Sequence, residues 1–213
     1  MSTLIAYAAP REGEVVLGKH ADTLALGVGK IAAAMSLAVA LTERSPDAVL
    51  LIGVCGAYPD RHLRRGLASL RVHDLCVVGS EVIADDGVAT PDGYLDLAQL
   101  RLGEIGPLPC DPELTSKLAA VLGCPIVAGA TVSTGAGNDV LSHAYAQRSG
   151  AQVETMEGGA VAAVCRRFGV PFAQLRAVSN RTGDRHLGGW DLDGSLAQLA
   201  LGVERVLAAG VLP

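Results

Sequence analysis

Two polar residues late in the chain, Glu157 and Asn180, are candidates for acting on one ligand. Glu157 stands at the predicted start of a helix, and Asn180 follows an apolar strand predicted over residues 171–178. Such helix starts and strand ends meet at the carboxyl edge of an α/β sheet, where these folds bind ligands. A carboxylate accepts hydrogen bonds from the vicinal hydroxyls of a sugar, whereas an amide can donate to a ring nitrogen. Together the two residues predict a site for a sugar linked to a base.

Each of these residues also has a structural explanation. An acid at a helix start is favoured by the helix dipole, and Asn is common in turns that follow strands. The Gly158-Gly159 pair after Glu157 is less easily explained, since each glycine in a helix costs about 1 kcal/mol relative to Ala. We interpret the pair as room for a ligand or a second backbone to approach closely.

Two further segments carry candidate chemistry. Glu12 and Glu14 lie just beyond the first predicted strand, and Gly53-Val54-Cys55-Gly56 ends the third. The cysteine turn resembles a nucleophile elbow, but no histidine is spaced to act as its base, so a ligand-contacting turn is preferred. The five histidines show no metal-ligand spacing, and we predict neither a metal nor a cofactor.

Strands and helices alternate along the whole chain. This order predicts one domain over residues 1–213, an α/β fold with three α/β/α layers around a mixed, largely parallel sheet. Segment 91–112, rich in Gly and Pro, is a candidate lid. The predicted strands are 3–9, 22–28, 48–54, 75–78, 81–84, 126–132 and 171–178, and the predicted helices include 31–44, 111–122, 140–148 and 196–209.

Composition excludes several classes of partner. The formal net charge is -5 and basic residues are not clustered, so nucleic acid is not an expected partner. No apolar run reaches membrane-spanning length, and no membrane partner is expected. The five cysteines form no CxxC pair, which is typical of reduced thiols in a cytoplasmic protein.

Four segments together resemble the purine nucleoside phosphorylase/nucleosidase superfamily, in order and spacing over nearly the whole chain. Within it, the chain is most similar to the futalosine hydrolase family of menaquinone synthesis, and more distantly similar to methylthioadenosine/S-adenosylhomocysteine nucleosidases. The four segments are residues 27–34, residues 53–59, residues 155–160 and residues 176–180.

The resemblance implies a role for each candidate residue. It places Glu14 where nucleosidases carry the Glu that deprotonates water, with Glu12 as the alternative. It also implies a purine nucleoside as the small-molecule partner, catalysis without a cofactor, and a homodimer. The ribose and base contacts implied are Met156 and Glu157 for the ribose, Asn180 with the neighbouring Ser179 for the purine, and Val54, Cys55 and Gly56 for the turn that lines both.

Departures from the family pattern refine this prediction. Adenine-specific members carry Asp where this chain has Asn180, and a neutral amide suits a 6-oxopurine such as hypoxanthine. Phosphorylases keep Arg and Ser where this chain has Leu51 and Val54, so a phosphate dianion would be desolvated without a partner. We therefore predict hydrolysis by water. Aromatic residues make up 3% of the chain, which leaves Tyr94, Phe172, Trp190 or the nonaromatic Met156 to stack on the base.

Overall fold

The computed structural model describes residues 2–186 and 189–213. Its first half contains β1 (Thr3–Tyr7), α1 (Pro10–Gly13), β2 (Thr23–Ala25), α2 (Lys30–Glu43), β3 (Ala48–Ala57), a 3-10 turn (Asp60–His62), β4 (Leu75–Ile83), β5 (Gly87–Thr90) and β6 (Gly93–Asp96). The second half contains β7 (Leu108–Pro109), α3 (Pro112–Leu122), β8 (Ile126–Thr131), α4 (Asp139–Ser149), β9 (Val153–Thr155), α5 (Gly158–Phe168), β10 (Phe172–Arg181) and α6 (Leu192–Ala209).

Local sequence signals account for most helix ends. Asp111 caps α3 by accepting a hydrogen bond from the Leu114 amide, and Asn138 caps α4 through the Leu141 amide. Glycines in the left-handed conformation follow four of the helices, where a side chain would be strained: Gly123, Gly150, Gly169 and Gly210.

The main sheet has eight strands and is mixed, so the expectation of a largely parallel sheet is wrong. Five strand pairs are parallel, namely β1–β2, β1–β3, β3–β10, β4–β8 and β8–β9. Three are antiparallel, namely β4–β10, β3–β9 and β4–β7. Strand β10 runs parallel to β3 and antiparallel to β4, so the chain reverses direction between β3 and β4. The connection between them contains a 3-10 turn and no α-helix, whereas parallel strands are usually joined through a helix.

Strand β3 is the centre of this sheet. One of its edges pairs with β10 over the length of the strand, from Val49 to Ala57. Its other edge pairs with β1 only as far as Leu51, and with β9 only at Gly56 and Ala57. Between those two pairings, the amides of β3 are left for side chains. This gap in the backbone ladder is where the candidate site lies.

Two apolar clusters pack against the strands. One joins Leu50 and Ile52 of β3 to side chains of α3 and α6, and the other joins Val49 and Leu51 to side chains of α2 and α5. Alternate residues of a strand point to opposite faces of the sheet. The alternation along β3 therefore determines which helices each face contacts.

Two expectations from composition concern membrane-spanning segments and the state of the cysteines. Among the described residues, no helix is both long and apolar enough to cross a membrane. All five cysteines are free thiols, and four of them are buried.

Candidate active site

A cavity of about 500 Å³ opens at the carboxyl ends of β1, β3 and β10. Its volume is sufficient for a nucleoside-sized ligand, and both apolar and polar residues line it. Its walls include Ala8, Ala9, Pro10, Arg11, Glu12, Val28, Val54, Cys55, Gly56, Val132, Gly135, Glu154, Thr155, Met156, Glu157, Ser179, Asn180, Trp190 and Leu192.

A second lobe of about 360 Å³ adjoins the first. The two lobes share five wall residues: Gly135, Glu154, Met156, Asn180 and Trp190. The remaining walls of the second lobe include Gly137 after β8, Arg181 at the end of β10, and Arg185 after β10. Two connected lobes of this size fit a ligand with two parts, such as a sugar and a base.

Glu157 is buried at the start of α5 and lines the first lobe. Its Oε1 accepts a hydrogen bond of 2.8 Å from the amide of Gly29, the residue that precedes α2. Burial raises the pKa of Glu157, while the Arg176 charge and the Gly29 amide oppose that shift. One oxygen is thus held by the protein, and the carboxyl can still accept from a ligand hydroxyl.

The glycines after Glu157 make room for protein side chains rather than for a ligand. A Cβ at Gly158 would lie 2.1 Å from Oε1 of Glu81, and one at Gly159 would lie 3.0 Å from Oγ1 of Thr131. Glu81 is fully buried behind the helix, and accepts hydrogen bonds from Thr131 and from Gln174. The structure therefore differs from the sequence interpretation of the glycine pair.

The structure places Glu12, and not Glu14, in the cavity. Glu12 is buried, and its Oε1 accepts a hydrogen bond of 2.8 Å from the Val54 amide in the gap of the β3 ladder. Its Oε2 accepts from the amides of Ala8 and Ala9, at 3.1 and 2.9 Å. Glu14 is exposed and lines neither lobe.

Arg176 is a buried charged residue beside Glu12 that the sequence reading did not assign. It is fully buried on β10, and its guanidinium and the Glu12 carboxylate both lie 2.5 Å from the Cβ position of Gly53. Its Nε donates to Gln174, whereas its Nη2 is buried without a hydrogen-bond partner. A charged residue inside an apolar strand was the available signal, because arginine is rarely buried without a paired acid.

Asn180 lies near the end of β10, after an irregularity in the pairing with β3 that falls at Ser179. Its Oδ1 accepts a hydrogen bond of 2.9 Å from the Ser179 hydroxyl, and its Nδ2 donates to the Arg181 carbonyl at 3.2 Å. These contacts orient the amide so that one N–H remains for a ligand. Asn180 and Ser179 both line the first lobe.

The other predicted contact residues also line the first lobe. Val54, Cys55 and Gly56 form one wall at the end of β3, and Met156 stands between the lobes. Leu51, in contrast, is buried in the core cluster of α2 and α5 and does not reach the cavity.

Of the candidate stacking residues, Trp190 and Met156 line both lobes. The Arg185 guanidinium lies 4.5 Å from the centre of the Trp190 ring. Phe172 is buried in the core, and Tyr94 lies against Arg148 in a separate cavity. Residues 91–112, the candidate lid, contribute to neither lobe.

Glu154 is a second acid that the sequence reading did not assign. It is 9% exposed on β9 and lines both lobes, and its Oε1 accepts a hydrogen bond of 2.9 Å from the Ala136 amide. Burial raises the pKa of Glu154 to about 7. Its place two residues before Met156, on the strand that leads to the predicted ribose contacts, was the available signal.

Among the described residues, no group of three or more His, Cys, Asp or Glu side chains is arranged so that it could hold a metal ion.

Comparison with known proteins gives relatives over most of the chain. The model of the Phosphorylase superfamily matches residues 4–211. A futalosine hydrolase of Thermus thermophilus is 38% identical over 188 residues, which cover 87% of this chain and 80% of the relative. A 5'-methylthioadenosine/S-adenosylhomocysteine nucleosidase of Actinobacillus succinogenes is 33% identical, with 83% of this chain and 74% of the relative covered.

Solved structures resemble the fold. A futalosine hydrolase mutant of Helicobacter pylori superposes with a TM-score of 0.78 at 17% identity, covering 98% of this chain and 100% of the other. At this identity, the likeness concerns the fold alone.

Proposed function

Since the chain belongs to the Phosphorylase superfamily, we propose that it is an N-glycosyl hydrolase that cleaves futalosine, a purine nucleoside, and releases hypoxanthine. Two observations support this proposal. Relatives at 34–38% identity are futalosine hydrolases. The buried Glu12 and Glu157 and the half-buried Asn180 line one cavity, which supplies an acid for water, an acid for ribose and an amide for the base.

Glu157 would hold the ribose. Its carboxyl is fixed by the Gly29 amide and can accept hydrogen bonds from the vicinal hydroxyls of the sugar. Cleavage of the glycosidic bond develops positive charge on the ribosyl ring, as in other glycoside hydrolyses. A carboxylate close to that ring stabilises the charge, and the preceding residue, Met156, lines the same cavity.

Glu12 takes the role of the base that activates water. Three backbone amides, from Ala8, Ala9 and Val54, fix its carboxylate at the cavity wall. A base held in this way can orient a water molecule toward the sugar and accept its proton. Arg176 lies beside Glu12, and its Nη1 donates to the Val54 carbonyl, so it helps to hold the segment that fixes Glu12.

Asn180 stabilises the departing base. Its remaining N–H can donate to ring nitrogen 7 or to the 6-oxo group of hypoxanthine. Negative charge develops on the purine as the bond breaks, and loss of one donor of this type typically costs about 10²–10³ in rate. Trp190 and Met156 are placed to pack against the ring.

The charges around the cavity favour water over phosphate. A phosphorylase must hold a dianion beneath the sugar. Arg176, which is buried next to the cavity, has Glu12 beside it and contributes an opposing charge to Glu157. The carboxylates of Glu12 and Glu157 would repel a phosphate dianion at this position. In addition, the Val54 side chain has no hydrogen-bond donor for it.

A homodimer is supported by an apolar stripe on α2. Ile31, Met35 and Val39 are 78%, 65% and 59% exposed, and their spacing places them on one face of the helix. Val28, which lines the cavity, continues the stripe to the cavity mouth. A second copy of the chain that covers the stripe would also close this mouth.

The finer predictions on architecture and location are also part of this proposal. We infer one nucleosidase domain over residues 1–213 with three layers, since the clusters of α3 with α6 and of α2 with α5 involve alternate residues of β3. The five free thiols suit a cytoplasmic location.

The test is a steady-state assay with futalosine, its 6-amino analogue and methylthioadenosine, each with and without phosphate. We expect the highest kcat/KM with futalosine, free sugar as the product, and no dependence on phosphate. Faster turnover of methylthioadenosine would favour an adenine-preferring nucleosidase. Release of a sugar 1-phosphate that depends on phosphate would favour a phosphorylase.

A further inference from the structure

The base end of the cavity contains an acid to which the proposed mechanism gives no role. Glu154 of β9 is paired with Gly56 of β3, and Gly56 is paired on its other side with Asn180 of β10. Neighbours in register across a sheet point to the same face. Glu154 and Asn180 therefore lie on either side of Gly56, on one face.

Gly56 lets these two side chains approach each other. A Cβ at this glycine would lie 3.3 Å from Nδ2 of Asn180 and 3.3 Å from Cγ of Glu154. Both residues line both lobes of the cavity. The absence of a side chain at residue 56 thus brings an amide and a carboxyl together at the floor of the cavity.

The existing hydrogen bonds determine what each group can offer a ligand. Oδ1 of Asn180 accepts from Ser179, and Nδ2 donates to the Arg181 carbonyl, which leaves one N–H to donate. Oε1 of Glu154 accepts one hydrogen bond from the Ala136 amide, and a carboxylate oxygen can accept a second. The floor of the cavity thus presents a donor next to an acceptor.

We propose that Glu154 is a specificity-determining residue that selects a 6-oxopurine by accepting a hydrogen bond from its N1–H while Asn180 donates to the neighbouring oxygen or N7. Adenine presents the reverse pattern, because its 6-amino group donates and its N1 accepts. A carboxylate facing that N1 would leave two acceptors opposed, and sites built for one hydrogen-bond pattern reject the other strongly. This inference rests on the proposed function and adds a residue to its base site.

The protonation state of Glu154 should affect the preference for a 6-oxopurine over adenine. Burial raises the pKa of Glu154 to about 7, and the Ala136 amide opposes that shift. The titratable groups that act on its carboxyl are the Tyr58 hydroxyl and Asp85, and two arginines, Arg181 and Arg185, line the same second lobe. Below this pKa the neutral carboxyl can donate to N1 of adenine, so the preference for a 6-oxopurine should weaken as pH falls.

The experiment compares futalosine with its 6-amino analogue, in the wild-type protein and in Glu154→Gln, across a pH range that spans about 7. The measured quantity is the ratio of the two kcat/KM values. For the wild type, we expect this ratio to fall at least about tenfold from the alkaline to the acidic end of the range. In Glu154→Gln the ratio should be lower by about 10–100-fold at the alkaline end, and should not vary with pH.

A purely structural role for Glu154 predicts a different result. If the substitution only disturbed the segment around Ala136, whose amide donates to the Glu154 carboxyl, kcat/KM would fall by a similar factor for both substrates. The ratio of the two values would then be unchanged. That outcome, or a wild-type ratio that is constant with pH, would overturn the proposal. The wild-type measurement decides the question even where the variant is unstable.

Two controls separate this inference from the proposed function. Glu113→Gln makes the same chemical change on the exposed face of α3, where the acid pairs with Lys117, and should leave the ratio as in the wild type. If the wild type cleaves neither nucleoside, the proposed function fails. If it cleaves both with a ratio that does not depend on Glu154, the proposed function stands and this inference alone fails.

Discussion

Glu12 and Glu14 lie two residues apart in the same turn, yet the first is buried in the cavity wall and the second is exposed. The Glu12 carboxylate accepts from the Val54 amide at 2.8 Å, across a gap in the backbone pairing of β3. Successive helical residues are rotated by about 100°. Two residues further along the turn of α1, a side chain therefore points away from the cavity.

This relationship predicts different effects of removing the two acids. Glu12→Gln keeps the size of the side chain but cannot accept a proton from water, so kcat should fall by about 10²–10⁴. Glu14→Gln should stay within about twofold of the wild type, because its side chain contacts solvent. Steady-state hydrolysis of futalosine measures both variants.

The stability of the two variants should be checked by thermal unfolding, so that loss of activity is not loss of fold. A large decrease in kcat in Glu14→Gln, with Glu12→Gln fully active, would reverse the assignment of the base.

The substitution Gly158→Ala tests how closely the buried side chains of Glu81 and Gln174 pack against the start of α5. Helix propensity alone favours Ala over Gly by about 1 kcal/mol. A Cβ at this position would lie 2.1 Å from Glu81 and 3.0 Å from Gln174, so overpacking should outweigh propensity and destabilise Gly158→Ala by about 1–3 kcal/mol. Urea unfolding measures the difference in the free energy of unfolding.

Gly137→Ala is the matched control for this prediction, since no atom lies within 4 Å of a Cβ at Gly137. Its stability should be within about 0.5 kcal/mol of the wild type. A Gly158→Ala protein as stable as the wild type would mean that Glu81 can move without cost.

The apolar stripe on α2 provides a test of assembly. Met35→Glu places a charge in the centre of the stripe, so it should convert the proposed dimer into monomers and reduce activity by opening the cavity mouth. Val140→Glu, on the first turn of α4, is the control because Val140 is 81% exposed outside the stripe. Sedimentation analysis measures the mass of each protein, and a monomeric wild type would contradict the assembly.

Glu154 should also make stability depend on pH. Burial raises its pKa from 4.5 to about 7, so the folded state binds a proton more tightly than the unfolded state. The free energy of unfolding therefore falls as pH rises from about 4.5 to about 7, by up to about 3 kcal/mol for this group. Glu154→Gln removes this contribution, and should become more stable relative to the wild type as pH rises through that window.

Chemical unfolding at several pH values measures this difference between the two proteins. Comparison with the wild type cancels the contributions of Glu81 and Glu157, whose pKa values burial also raises. A difference in stability that is constant with pH would show that Glu154 is not protonated in the folded protein near pH 7.

Local patterns in the sequence were sufficient to predict most helices, strands and candidate site residues. The apolar run that begins at Ala48 forms the central strand, and the Asp111-Pro112 pair begins a helix. Glu157 and Asn180 were placed together from the general rule that helix starts and strand ends meet at one edge of a sheet, and both line the cavity. Each of these features depends on residues that are close together in the chain, so each can be predicted from one sequence.

Tertiary structure alone decided the directions of the strands, the burial of Glu12 rather than Glu14 in the cavity wall, and the presence of Glu81 behind Gly158 and of Glu154 beside Gly56. Each depends on groups that are far apart in the chain and become neighbours only when the sheet is assembled, as Glu154, Gly56 and Asn180 do on three strands. A one-residue change of register would turn these side chains to the opposite face. Periodicity within one segment carries no information about that pairing, because the pairing is set by the packing of the whole sheet.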